Sequence, residues 1–106
     1  MPFYSIDESV FRERAPGFKA AFAHSGHITV AHWITEAGAV LPQHSHAHEQ
    51  IVNVVEGKFE LQIGDESVVL GRDTVAVIPP DVVHYGRALT ACRIIDVFYP
   101  IREDFK

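Results

Sequence analysis

Turn signals cut this chain into short segments, and that punctuation most limits what it can fold into. Glu36-Ala37-Gly38-Ala39, Glu56-Gly57, Gly64-Asp65 and Pro79-Pro80-Asp81 recur at short, fairly regular spacing. Such spacing favours a sandwich or barrel over a βα-layered fold. Residues 28–35 are rich in β-branched and aromatic side chains, and 51–55 form a nearly continuous apolar run. Residues 58–63 alternate polar and apolar, as a strand with one wet face does. Gly64-Asp65 then reads as a hairpin with 67–70 as its return strand, and 74–78 and 91–99 complete the set. Only 7–14 reads as a short helical turn. With 106 residues there is no room for a second core, so residues 1–106 are expected to form one all-β domain.

Bulk properties remove several functions. At 47% hydrophobic residues the chain can pack an interior without covalent staples. A single cysteine, Cys92, excludes an intrachain disulfide, fits a reducing compartment and reads as a small buried apolar residue. No run approaches the roughly 20 apolar residues of a membrane span, and Met1 to Glu8 lacks the signature of a secretory leader. A cytoplasmic protein without a membrane partner is expected. Nine Lys/Arg against fourteen Asp/Glu give a net charge of −5 with no basic cluster, which argues against nucleic acid.

Chemistry concentrates in His44-Ser45-His46-Ala47-His48-Glu49-Gln50 and in a lone His84 after Pro79-Pro80. Two imidazoles at spacing two share a face of an extended strand. A third from a distant strand, with one oxygen donor, completes a compact site for a first-row transition metal. Parity does not choose among His44, His46 and His48, which all match Gln50. Glu49 has the opposite parity.

The intervals resemble the two motifs of the cupin family. Gly38-x5-His44-x-His46-x3-Gln50-x6-Gly57 is similar to the first, with Gln50 where most cupins carry Glu. Pro79-x-Asp81-x2-His84 is similar to the second, which normally reads Pro-x-Gly-x2-His. Asp73 replaces that motif's usual opening Gly, and Ala88 its usual Asn. The resemblance implies a double-stranded β-helix (jelly-roll) barrel with one divalent ion, zinc, nickel, iron or manganese, on His44, His46, Gln50 and His84. His48 is then expected in the turn after His46, and His24 and His27 at the surface. His32 could reach the cavity but reads better as a structural histidine.

The ending, with Asp96, Phe98 and Arg102 as Asp-x-Phe-x3-Arg, is similar to that of the small pectin-degradation cupins of the KdgF family. That resemblance implies an enzyme opening 4,5-unsaturated uronate monomers to linear 5-keto-4-deoxyuronate. Asp96 would move protons, Arg102 would hold the substrate carboxylate, and Phe98 would pack on the sugar. Each has a structural alternative: a strand-end Asp, a salt bridge from Arg102 to Glu103 or Asp104, and plain core packing for Phe98. Another metal-dependent cupin reaction (dioxygenase, isomerase or lyase) and a non-catalytic sugar-binding module are the competing readings. In 91–99 both faces are substantially apolar. The outward one needs a cover, either the N-terminal segment or, preferably, the second subunit of a homodimer.

Overall fold

The structure, a computed structural model, describes residues 3–106 as ten strands and two short 3-10 turns. The strands are β1 (Arg12–Ala15), β2 (Phe18–His24), β3 (Thr29–Thr35), β4 (Val40–His44) and β5 (Glu49–Glu56). They continue as β6 (Phe59–Ile63), β7 (Glu66–Leu70), β8 (Val75–Ile78), β9 (His84–Ala88) and β10 (Cys92–Tyr99). All pairings are antiparallel. One sheet runs β1-β2-β3-β10-β5-β8, the other β4-β9-β6-β7. The two face each other as an all-β jelly roll.

The period of two decides what lies inside. On β10, Cys92, Ile94, Asp96 and Phe98 are buried, and on β5 so are Gln50, Val52 and Val54. Register sets Asp96 beside Val52 and Phe98 beside Gln50. From the opposite sheet Phe59, Leu61, Leu70 and Ala88 close the core. Strands β5 and β10 carry apolar residues on both faces, so their runs look continuous in the sequence.

Residues 7–14 are not one helical turn. Only Glu8–Val10 form a 3-10 turn, with the Asp7 carboxylate accepting from the Ser9 amide at 2.9 Å. The chain then extends into β1, because with no amphipathic face a longer helix would bury nothing, whereas β2 offers a ladder. Between them Phe11 is buried against the outer face of the larger sheet, with the Arg93 guanidinium 5.5 Å from its ring centre. The N-terminal segment thus covers part of that face. The rest stays open: Ile51, Val55, Val75 and Val77 are 39–60% exposed.

Two tight places bring the site together. Gly57 follows β5 at φ 90°, where a Cβ would strike the Ala91 carbonyl and the Cys92 sulfur. Asp81, in the turn between β8 and β9, adopts φ 66°, a left-handed conformation that Asp tolerates better than most side chains. Its amide donates to the His46 carbonyl at 2.8 Å, tying the turn before His84 to the segment carrying His46. Asp81→Gly should therefore keep full stability. Asp81→Val should lose about 1–2 kcal/mol, the usual left-handed penalty, with a correspondingly lower urea midpoint. Equal midpoints for the two variants would contradict this role for the turn.

Candidate metal centre

Three imidazoles meet from three elements. His44 ends β4 and pairs directly with His84 at the start of β9, their ring centres 4.1 Å apart. The ladder slips between Leu41 and His44, where Pro42 has no amide hydrogen to give. His46 is not on a strand, since β4 stops at His44. The shared strand face expected for His44 and His46 is replaced by bonds within the connection. His46 is held through its own ring and through the Asp81 bond. One nitrogen of each of His44, His46 and His84 lies within 4.8 Å of the others, a cluster compatible with a divalent metal.

The three rings are oriented alike. Nδ1 lies 2.8 Å from the Pro42 carbonyl in His44, 2.8 Å from the His48 carbonyl in His46 and 2.9 Å from the Val82 carbonyl in His84. A carbonyl only accepts, so each Nδ1 carries the proton and each Nε2 keeps a lone pair. This outer bonding is how metal-ligating histidines are held. Nε2 of His84, in a residue only 1% exposed, has no hydrogen-bond partner. A buried acceptor without a partner is costly, and a cation there would satisfy it.

Gln50 brings its amide from the facing sheet, with Oε1 3.1 Å from Nε2 of His46. At that separation Oε1 and Nε2 could both reach one ion, so Gln50 would complete the donor set with an oxygen. Glu49 is exposed on the outer face.

The cavity these residues open into measures about 280 Å³. Val52, Phe59, Leu61, Ile78 and Ile94 form its apolar floor, and Trp33, Asp96 and Phe98 its wall. Asp96 is buried, and its Oδ1 and the Trp33 indole nitrogen both lack partners in hydrogen-bond geometry. Burial pushes the Asp96 carboxyl up to about 7, although Gln50, Trp33 and the Arg102 charge face it and pull the other way. Burial drives His84 down to about 4 and lowers His46 as well. Burial thus disfavours the charged form of both kinds of group.

Arg102 lines the same cavity, with its guanidinium 4.7 Å from the Phe98 ring centre and 4.0 Å from that of Phe105. It is also bound bidentately by Asp104, Nε to Oδ1 at 2.9 Å and Nη2 to Oδ2 at 2.7 Å. The salt bridge and the cavity position coexist. Phe98 likewise serves both readings, being 2% exposed yet lining the cavity.

The other histidines lie outside this cavity. His48 occupies the bend after His46, half-buried. His32 projects outward with Val30 and Ile34, so it does not reach the interior; burial, helped by Arg93, lowers its pKa. His24 is half-buried rather than at the surface, with Nδ1 2.8 Å from the Thr29 hydroxyl, while His27 is exposed. Sequence reasoning missed Arg14, Trp33 and Phe105, all of which line the cavity. Only Trp33 left a signal there, sharing parity with the buried Ala31 and Thr35.

Comparison with known proteins decides the family. The cupin domain model matches residues 31–98. The chain belongs to the cupin family. The structure of KdgF from Halomonas sp. is similar over 100% of this chain and 99% of that one, at TM-score 0.92 and 29% identity. An RmlC-like cupin from Shewanella frigidimarina is similar over 100% and 97%, at TM-score 0.91 and 28% identity. An uncharacterized protein of Streptomyces coelicolor is 27% identical over 103 residues, 94% of this cupin and 97% of its own length. This chain is thus a small, KdgF-like cupin. No helix among the described residues is long and apolar enough to cross a membrane.

The opposed titrations give a pH prediction for the metal-free cupin. His84, at about 4 folded against its ordinary 6.5, contributes stability that is full above pH 6.5 and is lost as pH falls towards 4. Asp96, at about 7 folded against its ordinary 3.8, contributes in the opposite sense, with stability lost as pH rises from 3.8 to 7. In urea titrations of chelator-treated protein the two offset between pH 4 and 6.5. Asp96→Asn removes one arm, so its stability should rise with pH more steeply than wild type, by up to about 1.4 kcal/mol per pH unit. Parallel pH profiles would show that the buried carboxyl does not titrate this way.

Proposed function

We propose that this cupin opens 4,5-unsaturated uronate monomers to linear 5-keto-4-deoxyuronate, using a divalent ion held by His44, His46, Gln50 and His84. One observation carries the reading. A buried carboxyl, a guanidinium and an aromatic ring, Asp96, Arg102 and Phe98, converge on the cavity that receives the three Nε2 atoms. The likeness to KdgF over the whole chain supports the same assignment.

The reaction is an isomerisation and needs no redox partner. The proton leaves the C1 hydroxyl, the C1–O5 bond breaks to give an aldehyde, and its electron pair stays on O5. Reprotonation at C4 turns the resulting enolate into the C5 ketone. Asp96, with its carboxyl raised to about 7, can take the first proton and return it at C4. Arg102, fixed by Asp104, keeps its remaining N–H groups for the substrate carboxylate. Phe98 offers an apolar wall for the sugar. A divalent ion on these ligands supplies Lewis-acid stabilisation of the negative charge on oxygen. In this reading the enzyme works in the cytoplasm, where the Cys92 thiol stays reduced.

Incubation with unsaturated galacturonate under anaerobic conditions should abolish the absorbance of the conjugated C4=C5 bond. Unchanged absorbance with metal-loaded protein overturns the assignment. Wild type should hold one ion per chain, and the His44→Ala/His84→Ala double variant none. Asp96→Asn should lower kcat by about 100-fold or more with metal content and melting temperature retained. Arg102→Ala should mainly raise KM. A folded, metal-loaded Asp96→Asn enzyme with near-normal turnover would take Asp96 out of the mechanism.

The uncovered outer face supports a homodimer. Ile51, Val55, Val75 and Val77 form an exposed apolar strip along β5 and the edge strand β8, continuous with Ile95 and Val97 of β10. A flat apolar sheet face is self-complementary across a two-fold axis. Light scattering at micromolar concentration should give twice the 11.8 kDa chain mass, and Val77→Asp should halve it. A monomeric wild type would exclude this interface.

A further inference from the structure

Two guanidiniums stand at the cavity, and among the described residues only one has a counterion. Arg102 is neutralised by Asp104, which occupies its Nε and one Nη2 hydrogen. Arg14 pairs with no carboxylate among the described residues. Its one side-chain hydrogen bond there is a long one, 3.5 Å from Nη2 to the backbone oxygen of Asp104. Both cations lie over one ring, with the Arg14 guanidinium carbon 5.6 Å and that of Arg102 4.0 Å from the Phe105 centre.

The fold aims Arg14 deliberately. The β1–β2 register shifts between Glu13 and Ala15, so Arg14 falls on the irregularity and leaves the strict alternation of the strand. Phe22 and Phe105 stack at 4.5 Å, and the planar Arg14 cation rests against both, 5.3 Å from the Phe22 centre. Arg14 is exposed, and its side chain also forms part of the cavity lining. Two like charges around one ring repel each other, and a single carboxylate offsets only one of them. An anion entering the cavity supplies the missing charge.

From this we infer that Arg14 is a specificity-determining residue that binds the carboxylate of a sugar-acid ligand and selects it over the neutral sugar. The inference rests on the uronate reading for its ligand class, and it deepens that reading. Arg102 presents only what Asp104 leaves free. Arg14 presents nearly its whole fork, from the rim, where an incoming carboxylate arrives before the sugar reaches the histidines.

The test uses binding as well as turnover. Trp33 lies on the cavity wall, so its fluorescence can follow D-galacturonate and, in parallel, the neutral methyl ester of the same sugar acid. Wild-type metal-loaded protein should prefer the acid. Arg14→Gln should shrink that preference by about 10-fold, the scale of one charge-assisted contact, with ester affinity and melting temperature unchanged. Arg14→Lys should restore part of it, since it returns the charge without the fork. Lys19→Gln removes the same charge from the exposed outer side of β2 and should leave the preference intact. With unsaturated galacturonate, Arg14→Gln should raise KM and leave kcat within about twofold.

Equal loss for acid and ester would make Arg14 a packing residue and overturn the inference. So would an unchanged preference, or a wild type that does not distinguish the two ligands. If the acid preference depends on Arg14 but unsaturated uronate is not opened, the catalytic reading fails and the carboxylate site stands.

Discussion

Everything in the cavity depends on three short N–H···O=C bonds. His44, His46 and His84 each commit Nδ1 to a carbonyl two residues away, and this turns three Nε2 lone pairs towards one point. The carbonyls are free to accept because each lies where regular pairing stops: at Pro42 beside the slipped β4–β9 ladder, in the bend at His48, and at Val82 in the turn before β9. A barrel whose strands paired perfectly to their ends would offer no such acceptors. Irregularity at the strand ends is therefore what orients the cluster.

The cavity reverses the charge of the molecule around it. The chain carries −5 overall, yet the interior holds three imidazoles, a carboxyl pushed up to about 7, and two guanidiniums at its side. Asp104 is the one carboxylate bound to these cations among the described residues, and its pairing with Arg102 holds its pKa below the usual carboxylate range. Beyond about 8–10 Å the global charge is screened in physiological salt, so an approaching anion responds to the local sign. A net acidic protein can therefore present an anion site.

How much of this was legible depends on whether a signal was local. β6 announced itself by alternation and β10 by length, whereas strand parity left His44, His46 and His48 equivalent and only the resemblance to the cupin motifs singled out His44, His46 and His84. The turn at Asp81 was half visible. The cupin motif's usual Gly marks a position needing positive φ, and Asp81 takes that conformation. β1 was hidden because Arg12-Glu13-Arg14-Ala15 has no apolar alternation; it is a strand only because β2 pairs with it. Arg14 and Phe105 were invisible for a related reason. They are 91 positions apart in sequence, and only the return of the C-terminal turn beside β2 brings them together. Family spacing grouped His46 with His44 and His84, as the structure does, but the shared strand face expected for it is absent, since it lies beyond the strand.

Gln50 links these observations. A glutamate there would sit near Asp96 in a dry cavity, and two carboxyls would compete for charge, each raising the pKa of the other. The amide avoids that competition. Its Oε1 lies beside Nε2 of His46, placed to ligate with it, and adds no charge of its own. The price is that three neutral imidazoles and an amide offset none of the charge of a divalent ion. The compensating anion then comes from Asp96, which burial discourages from ionising, or from a ligand carboxylate. An apolar floor, a reluctant acid and an uncompensated Arg14 all favour the ligand. On this argument the neutral amide at Gln50 and the free guanidinium at Arg14 are two parts of one design, a cavity short of negative charge that an acidic sugar completes.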